Sequence, residues 1–162
     1  MARGGAVATV AVVVTLSFSF SEAGAEYPRD PDKTLEHVRG GRIRVGVVDN
    51  GPWAMKQGEE AIGVEPELVR RLAHQLNATP EWHWGGEQAH MQQLERHELD
   101  LVIGGITKET PWKKRVGVTD SYFQNHIMVT APGENGWIKH LDEFLTAQRN
   151  QIPTLVQTFQ RP

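Results

Sequence analysis

Short apolar runs alternate with amphipathic stretches along most of this chain. Residues 42–48 form an apolar run interrupted by Arg44 and Gly46 and read as a buried strand. Residues 64–76 place Val64, Leu68, Val69, Leu72, Ala73 and Leu76 on one face at helical spacing. Glu65, Pro66 and Glu67 suit the first turn of that helix, where a proline loses no needed donor and acids meet the helix dipole. Asn77 suits its C-terminal cap. Residues 80–84 read as a second strand with Trp82 and Trp84 on one face, expected in the core. Residues 87–97 read as a helix packed through Met91 and Leu94, and 99–103 as a third strand. Thr110 and Pro111 open a short helix, the Thr capping it and the Pro in first position. A further strand is expected at 126–131. A helix is expected at 136–148 with Trp137, Ile138, Leu141, Phe144 and Leu145 inward. Shorter pieces are a helical turn at 34–39, a polar hairpin or loop at 55–61 and a last turn at 154–159. The order strand-helix-strand-helix-strand implies right-handed crossovers. The fold class is α/β, a mostly parallel sheet with helices on both faces.

Two strand ends carry candidate chemistry. The run Leu99-Asp100-Leu101-Val102-Ile103 ends in Gly104, Gly105, Ile106 and Thr107. Glycines at the carboxyl end of a buried strand let another group approach the backbone closely. Residues 43–48 run into Asp49-Asn50-Gly51-Pro52-Trp53 in the same way. Ligands of open α/β sheets bind at the carboxyl ends of strands, so the two ends point to one small-molecule crevice with Asp49, Trp53, Gly105 and Thr107 as ligand-binding candidates. Each also has a plainer reading. The glycines allow tight helix packing, Trp53 plugs a hydrophobic gap, and Thr107 caps the next turn. Lys113, Lys114 and Arg115 read as a solvated face.

Composition narrows the setting. Arg3, the apolar stretch 6–20 and the small-x-small site Ala23-Gly24-Ala25 read as a secretory leader over residues 1–25, cut before Glu26. The apolar stretch is shorter than the roughly 20 residues of a spanning helix, so no stable membrane insertion is expected. Residues 26–162 are one domain by length. The chain has no cysteine, so export brings no disulfides and no lipid-anchoring Cys follows the leader. A net charge of −3 gives no reason to expect nucleic-acid binding. Of the seven histidines, His90 and His97 are seven residues apart on the same helix, about 10 Å along its axis and too far for one ion. No metal site is expected, and the histidines are read as surface residues. No nucleophile-base pair, phosphate loop or cofactor motif stands out, so neither a catalytic residue nor a cofactor is assigned.

Several segments, in order, carry a family resemblance. Ile43-Arg44-Val45-Gly46-Val47 resembles an opening strand, and Pro52-Trp53 a proline plus aromatic over a ligand. Gly63-Val64-Glu65-Pro66-Glu67-Leu68 is similar to a Gly-aromatic-Asp-x-Asp-Leu helix start. Residues 99–107 are similar to an Asp-hydrophobic-Gly-hydrophobic-Thr segment, and 116–122 to a Phe-Ser-x-Pro-Tyr crossover. Together they resemble the first lobe, about residues 35–135, of the family 3 (polar amino-acid type) solute-binding proteins of bacterial ABC importers. The resemblance implies a periplasmic-binding-protein-like (type 2) fold and a periplasmic location. It also implies a small-molecule solute as ligand and an ABC-transporter permease as partner. Two departures stand out. The family inserts a second lobe after the crossover strand, whereas here residues 127–135 already resemble the returning segment, so the chain looks like a single lobe with the second lobe missing. The family's amino-acid binders place an Arg five residues after the Thr to clamp the ligand carboxylate; position 112 here is Trp. With Trp112 added to Trp53 and Asp49, cationic or flat aromatic solutes are expected in preference to simple α-amino acids. Other function classes weighed are an interaction module that binds another protein, or a second copy as a homodimer through the open crevice face, and a dehydratase-like enzyme.

Overall fold

The computed structural model describes residues 30–160, so the leader expected at 1–25 lies outside the described residues. A helical turn, α1 (Thr34–Val38), precedes β1 (Arg42–Val47). The hairpin β2 (Met55–Gln57) and β3 (Glu60–Ile62) leads into α2 (Val64–Gln75) and β4 (Thr79–Trp84). Next come α3 (Glu87–Glu95) and β5 (Leu101–Ile103). After a 3-10 turn at Pro111–Lys114 follow β6 (Gly117–Val118), β7 (Val129–Thr130), α4 (Asn135–Gln148) and α5 (Ile152–Gln160). The main sheet has the order β4-β1-β5-β7-β6. β1 pairs in parallel with β4 and β5, while β7 pairs antiparallel with both β5 and β6. Only β7 therefore runs against the rest, and the sheet is mixed but mostly parallel.

Two strands are shorter than their apolar runs. Residues 126–127 are not in β7, because the Ile127 N–H bonds the Ile106 carbonyl and His126 bridges Thr107 across the strand ends. β5 starts at Leu101 because Asp100 turns its carboxylate toward β1. The last turn expected near 154–159 is a full helix, nine residues long.

The core lies on both sheet faces. Ile43, Val45, Val47, Leu101 and Ile103 meet α2, α4 and α5 through Leu68, Leu72, Trp137, Leu141 and Val156. On the other face Val102 and Val129 meet Met91 and Leu94 of α3. Gly46 sits between them, and a Cβ there would lie 2.9 Å from the ring of His90 and 2.8 Å from Leu99. That space admits the His90 imidazole, which is 2% exposed, with Nε2 3.3 Å from the Val47 carbonyl and Nδ1 2.9 Å from Gln93 Oε1. His90 is thus a core residue and not the surface histidine expected. Trp82 and Trp84 depart from expectation in the other direction. β4 edges the sheet, so both are half-buried, with Arg70 over one ring and Lys56 over the other.

At the amino end of the strands, Asp100 is a buried hub. Its carboxylate accepts from the Arg44 N–H at 2.8 Å and from the Arg44 guanidinium at 2.6 and 3.1 Å. His37 Nε2 stands 3.0 Å away. Burying a carboxylate is tolerable only with such a complement of donors. Asp100→Ala should lower stability by about 1.5–3 kcal/mol, the range for hydrogen bonds to a charged group, because Arg44 can turn to solvent. Chemical denaturation checks this, and an unchanged midpoint and slope would refute the role given to Asp100.

Candidate solute site

The carboxyl ends of β1 and β5 and the approach to β7 meet at one end of the sheet. After β1 the chain closes a tight turn, with Asn50 and Ala54 exchanging both backbone hydrogen bonds at 2.7 and 3.0 Å. The Asn50 side chain then donates to the Gly104 carbonyl at 2.9 Å, which ties the β1 exit to the β5 exit. Gly104 (φ +138°) lies so close to β1 that a Cβ would come 2.5 Å from the Val48 carbonyl oxygen. Gly105 (φ +71°) lies under Trp53, whose ring carbon Cδ1 would be 2.5 Å from a Cβ there. Both positions need glycine, for backbone conformation and for space.

Beneath this platform is a fully buried carboxylate, Glu65, from the first turn of α2. Its Oε2 accepts the N–H groups of Gly104 and Gly105 at 2.6 and 2.9 Å. Its Oε1 accepts the Tyr122 hydroxyl at 2.6 Å. Burial pushes the Glu65 carboxyl above its ordinary range, while Tyr122 and the two glycine N–H groups work against that shift. Burial, followed by the charge of Glu65, pushes the Tyr122 hydroxyl well above its usual value.

The aromatic surface is built on this base. Trp53 is half-buried, with its ring 3.7 Å from that of His126, 5.9 Å from Phe123 and 6.5 Å from Tyr122, centroid to centroid. Burial lowers the pKa of His126, against a bond to the Phe123 carbonyl that raises it. Burial thus favours the neutral form of the imidazole beside Trp53. A hollow of about 350 Å³ lined in part by Tyr122, Phe123, Gln124 and Arg149 borders the cluster.

The sequence model of one family of proteins matches residues 43–160, which include every element of this site. The chain belongs to the bacterial extracellular solute-binding proteins, family 3. Among curated relatives, the arginine-binding extracellular protein ArtP of Bacillus subtilis is 26% identical over 88 residues. That match covers 54% of this chain and 34% of the relative, so the chain spans about a third of that protein's length. The arginine-bound form of domain 1 from TmArgBP superposes with a TM-score of 0.61 at 18% identity, covering 69% of this chain and 97% of that one. An ancestral amino acid-binding protein, a precursor of cyclohexadienyl dehydratase, gives 0.71 at 12% identity and covers 80% and 99%. At such identities the likeness is one of fold: a single family 3 lobe. The family comprises extracellular solute-binding proteins, in keeping with an exported, periplasmic setting. Among the described residues no helix is long and apolar enough to cross a membrane.

Within this family 3 lobe the residues singled out from sequence take different places. Asp49 is exposed at the β1 exit, and its neighbour Asn50 makes the cross-strand bond. Trp53 and Gly105 are in direct apposition. The N–H of Gly105 is already taken by Glu65, so it is not free for a ligand anion. Thr107 reaches the cluster through its backbone bridge to His126, and its carbonyl accepts from Thr110 at 3.0 Å. Thr110 caps the 3-10 turn as its sequence suggests. Trp112 is half-buried against the core group of the α3 face, with Arg115 stacked 5.3 Å over its ring. Arg115 also pairs with Glu95, so it offers no free carboxylate clamp. Tyr122, which ends the crossover-like segment, is 4% exposed and points inward. In the sequence Glu65 reads as a first-turn acid within the family-like helix start and as a group near the crevice, with nothing to mark it as buried, and His126 carries no signal.

Because the Glu65 carboxyl binds its proton more tightly folded than unfolded, its contribution to stability is greatest in acid and is lost as pH rises through the raised folded value. Glu65→Gln keeps an acceptor for the glycines and removes this dependence. Wild type should therefore gain in melting temperature relative to Glu65→Gln as pH falls from 7 toward the ordinary carboxyl value of 4.5. A gain for the variant over the same interval would contradict the assignment.

Proposed function

We propose that this lobe captures a small cationic, guanidinium-bearing solute outside the cell membrane and hands it to the permease of an ABC importer of amino acids or related polar solutes. The observation that carries the reading is the Trp53 ring, seated on Gly105 at the open end of the sheet with the His126 imidazole 3.7 Å from it and tilted by 31°. A guanidinium is planar, weakly hydrated and suited to such stacking. Exposed Asp49 adds negative charge at the β1 exit, and a His126 held toward its neutral form by burial repels a cation little. Trp112 stands where a carboxylate-clamping Arg is found in the family's amino-acid binders, so the cationic end carries the recognition. ArtP and TmArgBP, both named for arginine binding, support the same ligand class. Thr107, bridged to His126, is a secondary contact, whereas Trp112 packs on the α3 face under Arg115.

The enzyme alternative gains no support from the family, and Glu65, the buried acid of the site, is committed to three donors. Self-association has a specific observation in its favour. Trp53 and Phe123 remain partly exposed where the chain turns straight from Tyr122 to His126, and a second copy facing them would supply the cover of a second lobe.

Calorimetric titration with arginine, choline, glutamine, glutamate and an aromatic acid tests the ligand class. Arginine should bind best, and Trp53→Ala should weaken it about 2- to 30-fold, the equivalent of a cation-aromatic contact of about 0.5–2 kcal/mol. Tight glutamine or glutamate binding, indifferent to Trp53→Ala, would reject the reading. Sedimentation at micromolar concentration should show association that responds to arginine. A strict monomer with and without arginine rejects the dimer.

A further inference from the structure

At the opposite end of the sheet, three side chains from distant parts of the chain converge. Asp32 precedes α1, His97 follows α3, and Glu134 stands just before α4. One ligand atom from each lies within 4.8 Å of the other two. We propose that Asp32, His97 and Glu134 form a zinc-type divalent metal site that fastens the amino-terminal segment and the start of α4 to the end of α3.

The geometry of His97 carries the argument. Its Nδ1 is buried and makes no aligned hydrogen bond, although Asp32 Oδ2 stands 2.7 Å away and Glu134 Oε1 3.9 Å away. A proton on Nδ1 points along one line and serves neither oxygen well. A metal ion placed among the three atoms takes the nitrogen lone pair and both carboxylates together. Ligand atoms around tetrahedral zinc lie about 3.3–3.5 Å apart, for bonds of about 2.0–2.2 Å. The observed 2.7 and 3.9 Å bracket that spacing. One imidazole with two carboxylates also matches zinc in donor type and balances its charge.

The supporting groups are in place as well. Glu134 is fully buried, and its two oxygens accept the N–H groups of Asp32 at 2.7 Å and Thr34 at 2.9 Å, which fixes the carboxylate's orientation. His97 occupies the residue after the α3 cap in the left-handed region (φ +56°). The Glu98 N–H bonds the Gln93 carbonyl and the His97 N–H the Leu94 carbonyl, a helix-ending motif that usually takes glycine. A β-carbon at this position is unfavourable for the backbone, so the imidazole is there at a conformational cost.

Zn²⁺ is the probe, added to chelator-treated, desalted protein and read by calorimetry and by thermal unfolding. Wild type should bind one equivalent saturably and melt higher with Zn²⁺, whereas Mg²⁺ should do neither. His97→Asn tolerates the left-handed backbone and should fold normally, yet lose the Zn²⁺-dependent rise. Asp32→Asn should weaken Zn²⁺ at least tenfold. The proposal is overturned if Zn²⁺ leaves wild type unchanged, or if its effect persists undiminished in both variants.

Discussion

The open end of the sheet depends on one buried carboxylate. Glu65 gathers two backbone N–H groups at left-handed glycines and one buried phenol. Without it all three donors would be left unsatisfied away from water, each at a cost of about 1–3 kcal/mol. The same turn of α2 also fixes Trp53 from behind. The Val64 and Glu65 N–H groups bond the carbonyls of Pro52 and Trp53 at 3.1 and 3.0 Å. These are the free donors that a helix start must place somewhere. Gly63 makes that approach possible, since a Cβ there would lie 2.6 Å from the Trp53 carbonyl oxygen. The start of α2 is thus the anchor of the aromatic platform, and the side chain that binds the glycines belongs to the helix whose backbone positions the indole.

Much of the fold was legible because periodicity is a local property. The face of Val64, Leu68, Val69 and Leu72 and the inward Trp137, Leu141, Phe144 and Leu145 repeat at helical spacing and are buried. Strand lengths were less legible, because an apolar run does not show where pairing stops. Residues 99–103 and 126–131 are long apolar runs, but hydrogen bonding at Asp100 and at Ile127 delays the start of each strand. The two glycines and Trp53 were visible as a strand end with unusual chemistry. The inward turn of Glu65 was not, because an acid in a first helical turn has a sufficient explanation in the helix dipole. The burial of His90 depends on Gly46, forty-four positions away in the chain and adjacent only across the sheet. Asp32, His97 and Glu134 share no motif, since their proximity comes from the order of the strands.

A single lobe poses a particular energetic question. Hinge closure buries a ligand on both sides and needs two bodies. A single surface recovers less burial, so whatever affinity it has rests on low ordering cost. The platform meets that condition. Trp53 is fixed by Gly105, His126 and the α2 start, Gly104 by Asn50 and Glu65, and Tyr122 by Glu65. The short turn closed by the Tyr122–His126 and His126–Phe123 backbone bonds also delivers His126 to the indole face. The connection that leaves the site half open therefore also supplies part of its aromatic wall.

The two ends of the sheet divide the work. At the carboxyl end, the Glu65 carboxylate is turned inward to glycine backbone beneath half-buried aromatic rings. At the amino end, charge is concentrated: Asp100 with Arg44 and His37, then Asp32 and Glu134 around His97. Both clusters bridge segments far apart in sequence, with sixty-three positions between His37 and Asp100 and one hundred and two between Asp32 and Glu134. Long-range ties of this kind restrain the helices that frame the sheet without touching the ligand end. In this lobe β5 joins the two ends, with the buried Asp100 at its start and Gly104, tied to Asn50 and Glu65, at its close.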